Sequence, residues 1–193
     1  MKEVLLLLTD EFADWEAAYI CPELNKKDSK YKVKVITEDH KAKISMGGLT
    51  IIPDYGIDDC ILSDKTAMVI IPGGNTWKDN KSDKIAEFIR ECFKMNIKVA
   101  AICDAVTFLA ANRFLEKNKH TGNTLEYLKN NAPNYTGEKN YLEKQAVRDG
   151  GLITANGSAA LEFSCEIMEE LEVLNKKEIR DRYNIFKKGY LAE

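Results

Sequence analysis

Apolar residues along the chain fall into short continuous runs separated by amphipathic stretches, the pattern of a parallel sheet flanked by helices. Residues 4–8 are an unbroken Val-Leu-Leu-Leu-Leu, as expected of a strand covered on both faces. Residues 14–27 carry Trp15, Ala18, Tyr19 and Leu24 at helical spacing, with Pro22 placed to distort or interrupt the helix. A second strand is predicted over 33–37. Residues 42–52, with Gly47-Gly48 between two β-rich runs, predict a hairpin. Residues 67–71 form the next buried strand, ending at Pro72-Gly73-Gly74. Residues 82–95 form an amphipathic helix with Ile85, Ala86, Ile89 and Phe93 on one side. A strand over 97–102 runs without a break into a helix over 104–111. The polar region 117–150 holds one short helix near 124–129 and strand material near 145–148. A last short strand (152–155), a strong helix (159–174) and a further helix after Asn175 complete the pattern.

Three strand-loop-helix units in this order predict an α/β fold: a flavodoxin-like, doubly wound, mostly parallel sheet with helices on both faces. Ligands of such sheets bind beyond the carboxyl ends of the strands. Three of those ends are chemically loaded here: residues 9–16, Pro72-Gly73-Gly74 and Cys103.

Composition narrows the classes. A chain of 193 residues fits one domain spanning 1–193 and is long enough to bury a sizeable core. The net charge of -3 supplies no basic field for nucleic acid or an anionic membrane surface. The opening apolar run ends at Thr9-Asp10 after five residues, short of the roughly 7–15 of a secretory leader. No stretch reaches the length of a membrane span. The expectation is a cytoplasmic protein with no nucleic-acid and no membrane partner. The five cysteines, Cys21, Cys60, Cys92, Cys103 and Cys165, include no C-x-x-C pair, so neither a zinc site nor a redox pair is offered. No metal or other cofactor is expected.

One cysteine has a distinctive setting. In Ala101-Ile102-Cys103-Asp104-Ala105, small residues stand two before and two after Cys103, as a nucleophile elbow requires at a sharp strand-to-helix turn. The following helix would aim backbone N–H groups and its positive end at the sulfur, favouring thiolate. The plain alternative is a buried structural cysteine closing a strand. Pro72-Gly73-Gly74-Asn75 adds bare backbone on a neighbouring strand end. The N–H groups of Gly74 and Asp104 are candidates for an oxyanion hole, although Pro-Gly-Gly suits a simple tight turn equally well.

Ile71-Pro72-Gly73-Gly74, Ala101-Ile102-Cys103 and the early Asp10-Glu11-Phe12-Ala13-Asp14-Trp15-Glu16 together resemble the ThiJ/PfpI family of the class I glutamine-amidotransferase-like superfamily. The likeness continues through Ser45-Met46-Gly47-Gly48, Lys119-His120-Thr121 and Ile153-Thr154-Ala155-Asn156-Gly157, in the right order over most of the chain. The resemblance implies a flavodoxin-like sandwich, a homodimer, and a reactive cysteine at the elbow. By similarity the family's acid beside the cysteine falls on Glu16 and its oxyanion glycine on Gly74. Glu16 also has a rationale of its own, since a protonated carboxyl at the strand tip would hydrogen-bond the sulfur. Asp14 is the competing acid, read as a helix-start residue facing water.

The departures matter too. Peptidase-like members carry His directly after the cysteine, and this chain has Asp104 there, an anion that raises a neighbouring thiol's pKa. Of two histidines, His40 lies in a polar turn and reads as solvated. His120 lies in a loop able to fold back over the cysteine, which would give a triad of Cys103, His120 and Asp104; its alternative is a surface or capping role. Trp15 and Trp77 flank loaded loops and read as packing residues before pocket walls. Thr107 and Asn156 are weak candidates for ligand contact.

Two functions follow. One is a cysteine-dependent hydrolase, amidase or lyase, or by the resemblance a glyoxalase-like or deglycase-like enzyme, acting on a small carbonyl or amide compound. The other is a non-catalytic oxidative-stress sensor or chaperone-like protein using the same cysteine. A bare binding module is a third reading, favoured only if Cys103 proves inaccessible.

Overall fold

A strand turns successive side chains to opposite faces of its sheet, so an unbroken apolar run demands cover on both sides. The computed structural model, which describes residues 1–78 and 82–190, meets that demand. In chain order it contains β1 (Lys2–Leu7), α1 (Ile20–Leu24), β2 (Tyr31–Thr37), β3 (Lys43–Ile44), β4 (Thr50–Ile51), β5 (Tyr55–Gly56) and β6 (Thr66–Ile71). There follow α2 (Asp83–Lys94), β7 (Lys98–Ile102), α3 (Asp104–Ala111), α4 (Leu125–Asn131), β8 (Ala146–Asp149), β9 (Leu152–Ala155), α5 (Ala160–Glu170) and α6 (Lys176–Lys188). Seven strands form one sheet in the order β5-β2-β1-β6-β7-β9-β8. All neighbours run parallel except β8, which closes the edge antiparallel to β9. The expected α/β, flavodoxin-like architecture is the observed one.

The pleat sorts the core into two layers. Leu5, Leu7, Val69, Ile71, Val99 and Ala101 pack beneath the helices α2 and α3. Val4, Leu6, Met68, Ile70, Ala100 and Ile102 meet α1, α5 and α6 through Ile20, Leu24, Phe163, Ile167 and Ile179. Strand order reverses at β1, whose neighbours are β2 on one side and β6 on the other. The carboxyl ends of β1, β6 and β7 therefore lie side by side, where an open sheet binds its ligands. Among the described residues no helix is long and apolar enough to cross a membrane.

Two local departures from the sequence pattern have physical causes. The single helix expected over 14–27 is a 3-10 turn (Asp14–Glu16) followed by the short α1. Pro22 sits in the first turn of α1, where a missing N–H costs nothing; a longer helix would set its ring against the carbonyl of Ala18. The hairpin of β3 and β4 stands apart from the main sheet. It is tied to the segment after β1 by Glu11 N–H to the Ile44 carbonyl (2.7 Å) and Met46 N–H to the Phe12 carbonyl (2.9 Å). The Asp14 carboxylate accepts from Gly47 N–H at 2.8 Å, so that acid holds the hairpin tip and does not simply face water.

Phe163 on α5 is fully buried in the second layer. Phe163→Ala should lower the unfolding free energy by about 3–5 kcal/mol, the range for an aromatic cavity in a close-packed core, read as a shift of the urea midpoint at unchanged slope. A loss below about 1 kcal/mol would show that this layer is loosely packed.

Candidate active site around Cys103

The site is built on one backbone conformation. Cys103 takes φ 59° and ψ -130° between the end of β7 and the start of α3, a region that L residues rarely occupy. Its N–H extends the ladder to the Ala155 carbonyl (3.0 Å), and its carbonyl accepts from Val106 N–H (3.0 Å) at the start of the helix. Ladder and helix thus hold the turn from both sides. Ala101 and Ala105 are fully buried, as an elbow's small flanks must be. Two glycines complete the clearance. A methyl group on Gly73 would stand 2.6 Å from Cys103 Cβ, and one on Gly157 would stand 2.7 Å from its sulfur.

Glu16 reaches this sulfur from the turn after β1. It is 1% exposed, and its Oε2 accepts from Gly73 N–H at 2.5 Å. Burial pushes the carboxyl up to about 7 against the Gly73 N–H and the Cys103 thiol, and the charge of Asp104 pushes it further the same way. Burial also drives the Cys103 thiol up, to about 12, helped by Glu16 and Asp104 and opposed by Asn123 and the Asp104 N–H. The expectation that the helix start favours thiolate is corrected here. The Asp104 N–H does favour the anion, but desolvation and two carboxylates outweigh it. Thiol and carboxyl are hydrogen-bonded neighbours, and of the two the carboxyl gives up its proton first.

Gly73, and not Gly74, packs against the cysteine, and its N–H is taken by Glu16. Gly74 faces Phe12 across an isolated antiparallel bridge, formed by Ala13 N–H to the Gly73 carbonyl (3.0 Å) and Asn75 N–H to the Glu11 carbonyl (3.2 Å). That pairing leaves the N–H of Gly74 without a partner among the described residues.

His120 is not brought to Cys103, and the triad with Asp104 is not assembled. The imidazole is fully buried, with Nδ1 2.8 Å from the Asn118 carbonyl and Nε2 2.6 Å from the Tyr135 hydroxyl. Burial lowers its pKa, so it is a neutral ring that donates from Nδ1 and accepts at Nε2. Its contribution is to anchor a loop, together with Thr121, whose N–H donates to Thr154 Oγ1 (2.8 Å). That loop carries Asn123, whose Nδ2 lies 3.6 Å from the Cys103 sulfur and whose Oδ1 accepts from Gly157 N–H at 2.9 Å. Sequence reasoning missed Asn123 and the role of Gly157. The strand-end rule was the available signal, because Gly157 follows β9, the strand beside β7.

Other candidates resolve simply. Trp77 is a core residue, its indole donating to the Pro72 carbonyl (2.8 Å), while Trp15 is half exposed. His40 is half exposed beside Asp59 (2.8 Å). Burial raises the thiols of Cys21, Cys60, Cys92 and Cys165, as befits packing residues. No cluster of metal-ligating side chains occurs among the described residues. A cleft of about 300 Å³ opens beside Asn123, lined also by Thr124, Tyr141, Lys144, Gln145 and Asn156. A roomier one, about 660 Å³, lies at the opposite ends of the strands by Lys2, Thr66 and Lys98. No cysteine lines it, and the smaller cleft is the one beside Asn123 and Asn156, past the end of β9.

The sequence profile of the DJ-1/PfpI family matches residues 2–170. The chain belongs to that family. Two relatives from Bacillus subtilis (strain 168), named uncharacterized protease YoaZ and uncharacterized protease YdeA, are each 35% identical to it, covering 96% of this chain and 91% and 94% of their own. Among solved structures, the thiJ/pfpI family protein from Bacillus anthracis shares 39% identity at a TM-score of 0.90, covering 97% of this chain and 91% of that one. The DJ-1 superfamily protein Atu0886 from Agrobacterium tumefaciens shares 30% at 0.87, covering 96% and 97%. The family read from the motifs is therefore the right one.

A buried carboxyl with a raised pKa leaves a mark on stability. From the usual 4.5 up to about 7, the unfolded chain has released the Glu16 proton and the folded chain retains it. Folding is then progressively disfavoured as pH rises through that window, by about 3 kcal/mol in all, and the loss is complete above it. Glu16→Gln removes the effect. In urea unfolding, the variant should gain about that much relative to the native chain between pH 4.5 and 7.5; a constant difference would place Glu16 in a solvated setting.

Proposed function

We propose that this chain is a cysteine-dependent enzyme acting on small carbonyl or amide compounds, with Cys103 as nucleophile and Glu16 as its proton partner. The observation that carries the reading is the strained elbow cysteine in hydrogen-bond contact with a buried carboxyl whose pKa burial pushes up to about 7. A thiol that is not ionised at rest needs a base at the moment of attack, and Glu16 is the group within reach.

When Glu16 is ionised it accepts the thiol proton as the sulfur bonds to the carbonyl carbon. The C=O π pair moves to oxygen, where the Asp104 N–H and the unpartnered Gly74 N–H supply positive ends. With an amide, Glu16 returns the proton to the leaving nitrogen, the C–N bond breaks, and water then hydrolyses the thioester. With an aldehyde, the same addition yields a hemithioacetal, the entry to glyoxalase-like or deglycase-like chemistry. Proteolysis by a Cys-His pair has no support here, because the imidazole that would act as base is committed to Asn118 and Tyr135. The high thiol pKa also weighs against the sensor reading, since peroxide oxidation starts from the thiolate.

The test is turnover of methylglyoxal and of p-nitrophenyl acetate. Cys103→Ala should abolish both. Glu16→Gln should lower kcat/KM about 100-fold and remove a rising limb centred near pH 7. Activity surviving in Cys103→Ala, or a clean gain of two oxygens on Cys103 under mild peroxide with no turnover, would replace the enzyme with the other readings.

A further inference from the structure

Two polar atoms on α3, Asp104 Oδ1 and Thr107 Oγ1, are buried without a hydrogen-bond partner. The residues are 8% and 5% exposed, and three positions apart on one helix they lie on the same side. Buried polar atoms in native proteins are almost always satisfied, and those that are not point to a function or to an absent ligand. A bland role for Asp104, as an acid beside a helix start, leaves Oδ1 unexplained.

The surroundings say what the missing partner is. Asp104 directly follows the nucleophile, and its charge is felt at both Cys103 and Glu16. From α4, the Tyr127 phenol is a hydrogen-bond partner of the Asp104 carboxylate and lies close enough to sense Cys103, while Oδ1 keeps no partner of its own. The charges acting on Cys103 and Glu16 are negative ones. An ionised carboxylate offers acceptors only, and a threonine hydroxyl can accept as well as donate. The complementary group is therefore a donor, best a cation; a substrate carboxylate would be repelled.

We infer that Asp104 and Thr107 form a nitrogen-binding subsite of the Cys103 centre, which takes a protonated amine one carbon away from the carbonyl under attack. This rests on the reading of Cys103 as nucleophile and narrows its substrates to amine-bearing carbonyl compounds such as α-amino amides. The amine would donate to Asp104 Oδ1 in a charge-assisted hydrogen bond and to Thr107 Oγ1. Asp104 thereby acts through two groups: its N–H toward the developing oxyanion and its side chain toward the amine.

Binding of two isosteric amides separates this from the catalytic proposal, because no turnover is involved. The isotope-labelled full chain is titrated with glycinamide and with propionamide at pH 7, following the backbone amide signals of residues 104–107 by NMR. Glycinamide should bind at least about tenfold more tightly, as one charge-assisted contact implies. Asp104→Asn should erase that difference, and Thr107→Val should narrow it about twofold. Equal affinities, a preference that persists in Asp104→Asn, or no response to either amide would overturn the subsite. Turnover of neutral aldehydes alongside any of those results would leave Cys103 an enzyme nucleophile without amine selectivity, whereas amine binding in a chain with no turnover would keep the subsite and remove the catalyst.

Discussion

A β-strand cannot pass directly into a helix that lies back over the sheet unless one residue takes a backbone conformation belonging to neither. Here that residue is Cys103, at φ 59°, and the site follows from it. The strain is held by bonds on either side, the ladder to Ala155 and the first turn of α3, so relaxing the turn would break regular structure. Because the sulfur stands out from the backbone at the elbow, neighbouring chains must come close without side chains. Gly73 and Gly157 have no room for a methyl group, and their positions at the ends of β6 and near the end of β9 follow from the parallel order of the sheet.

Electrostatics follows from the same packing. The turn after β1 brings Glu16 under the Gly73 N–H, where little water remains to solvate a charge. The site then holds two carboxyls and a thiol in one dry neighbourhood, and more than one negative charge there is costly. Its natural response is to keep a proton on the Glu16–Cys103 pair. This arrangement makes a poor resting thiolate but a well-placed proton acceptor, because a carboxyl that titrates near neutrality is matched to general-base work at that pH.

Much of this was legible in the chain. Runs such as residues 4–8 and 67–71 can only be strands buried on both faces, and their spacing with amphipathic segments left little choice but a doubly wound sheet. The small-x-Cys-x-small pattern located the elbow for a steric reason that the backbone bears out. Glu16 stood out through a motif. What could not be read were relations set by tertiary approach. Nothing local distinguishes Gly73 from Gly74, and only the fold, which sets Gly73 against Cys103 Cβ and pairs Gly74 with Phe12, shows which of them meets the cysteine. Asn123 is an ordinary loop residue until that loop is folded. Pro22 was correctly read as a breaker, yet the 3-10 turn before it, which aims Glu16 inward, has no signature of its own.

His120 shows how a plausible catalytic residue becomes an architectural one. A loop histidine near an elbow cysteine invites a Cys-His reading, and this histidine does serve the cysteine, at one remove. Packed edge-on between Tyr135 and Tyr141, with both ring nitrogens occupied, it is costly to charge and costly to move. That rigidity passes along the chain through Thr121, pinned to Thr154, to Asn123, which bridges Gly157 and the sulfur. A base that must swing between protonation states needs freedom or a nearby counter-charge, and the His120 pocket gives neither. The chain instead separates two duties that a histidine beside the cysteine would combine. In the proposed mechanism proton transfer falls to Glu16 from the end of β1, and the position after the cysteine is released for a carboxylate. Asp104 is tolerable there because Glu16 can remain neutral, so the two acids are best understood as one adjustment of the same site.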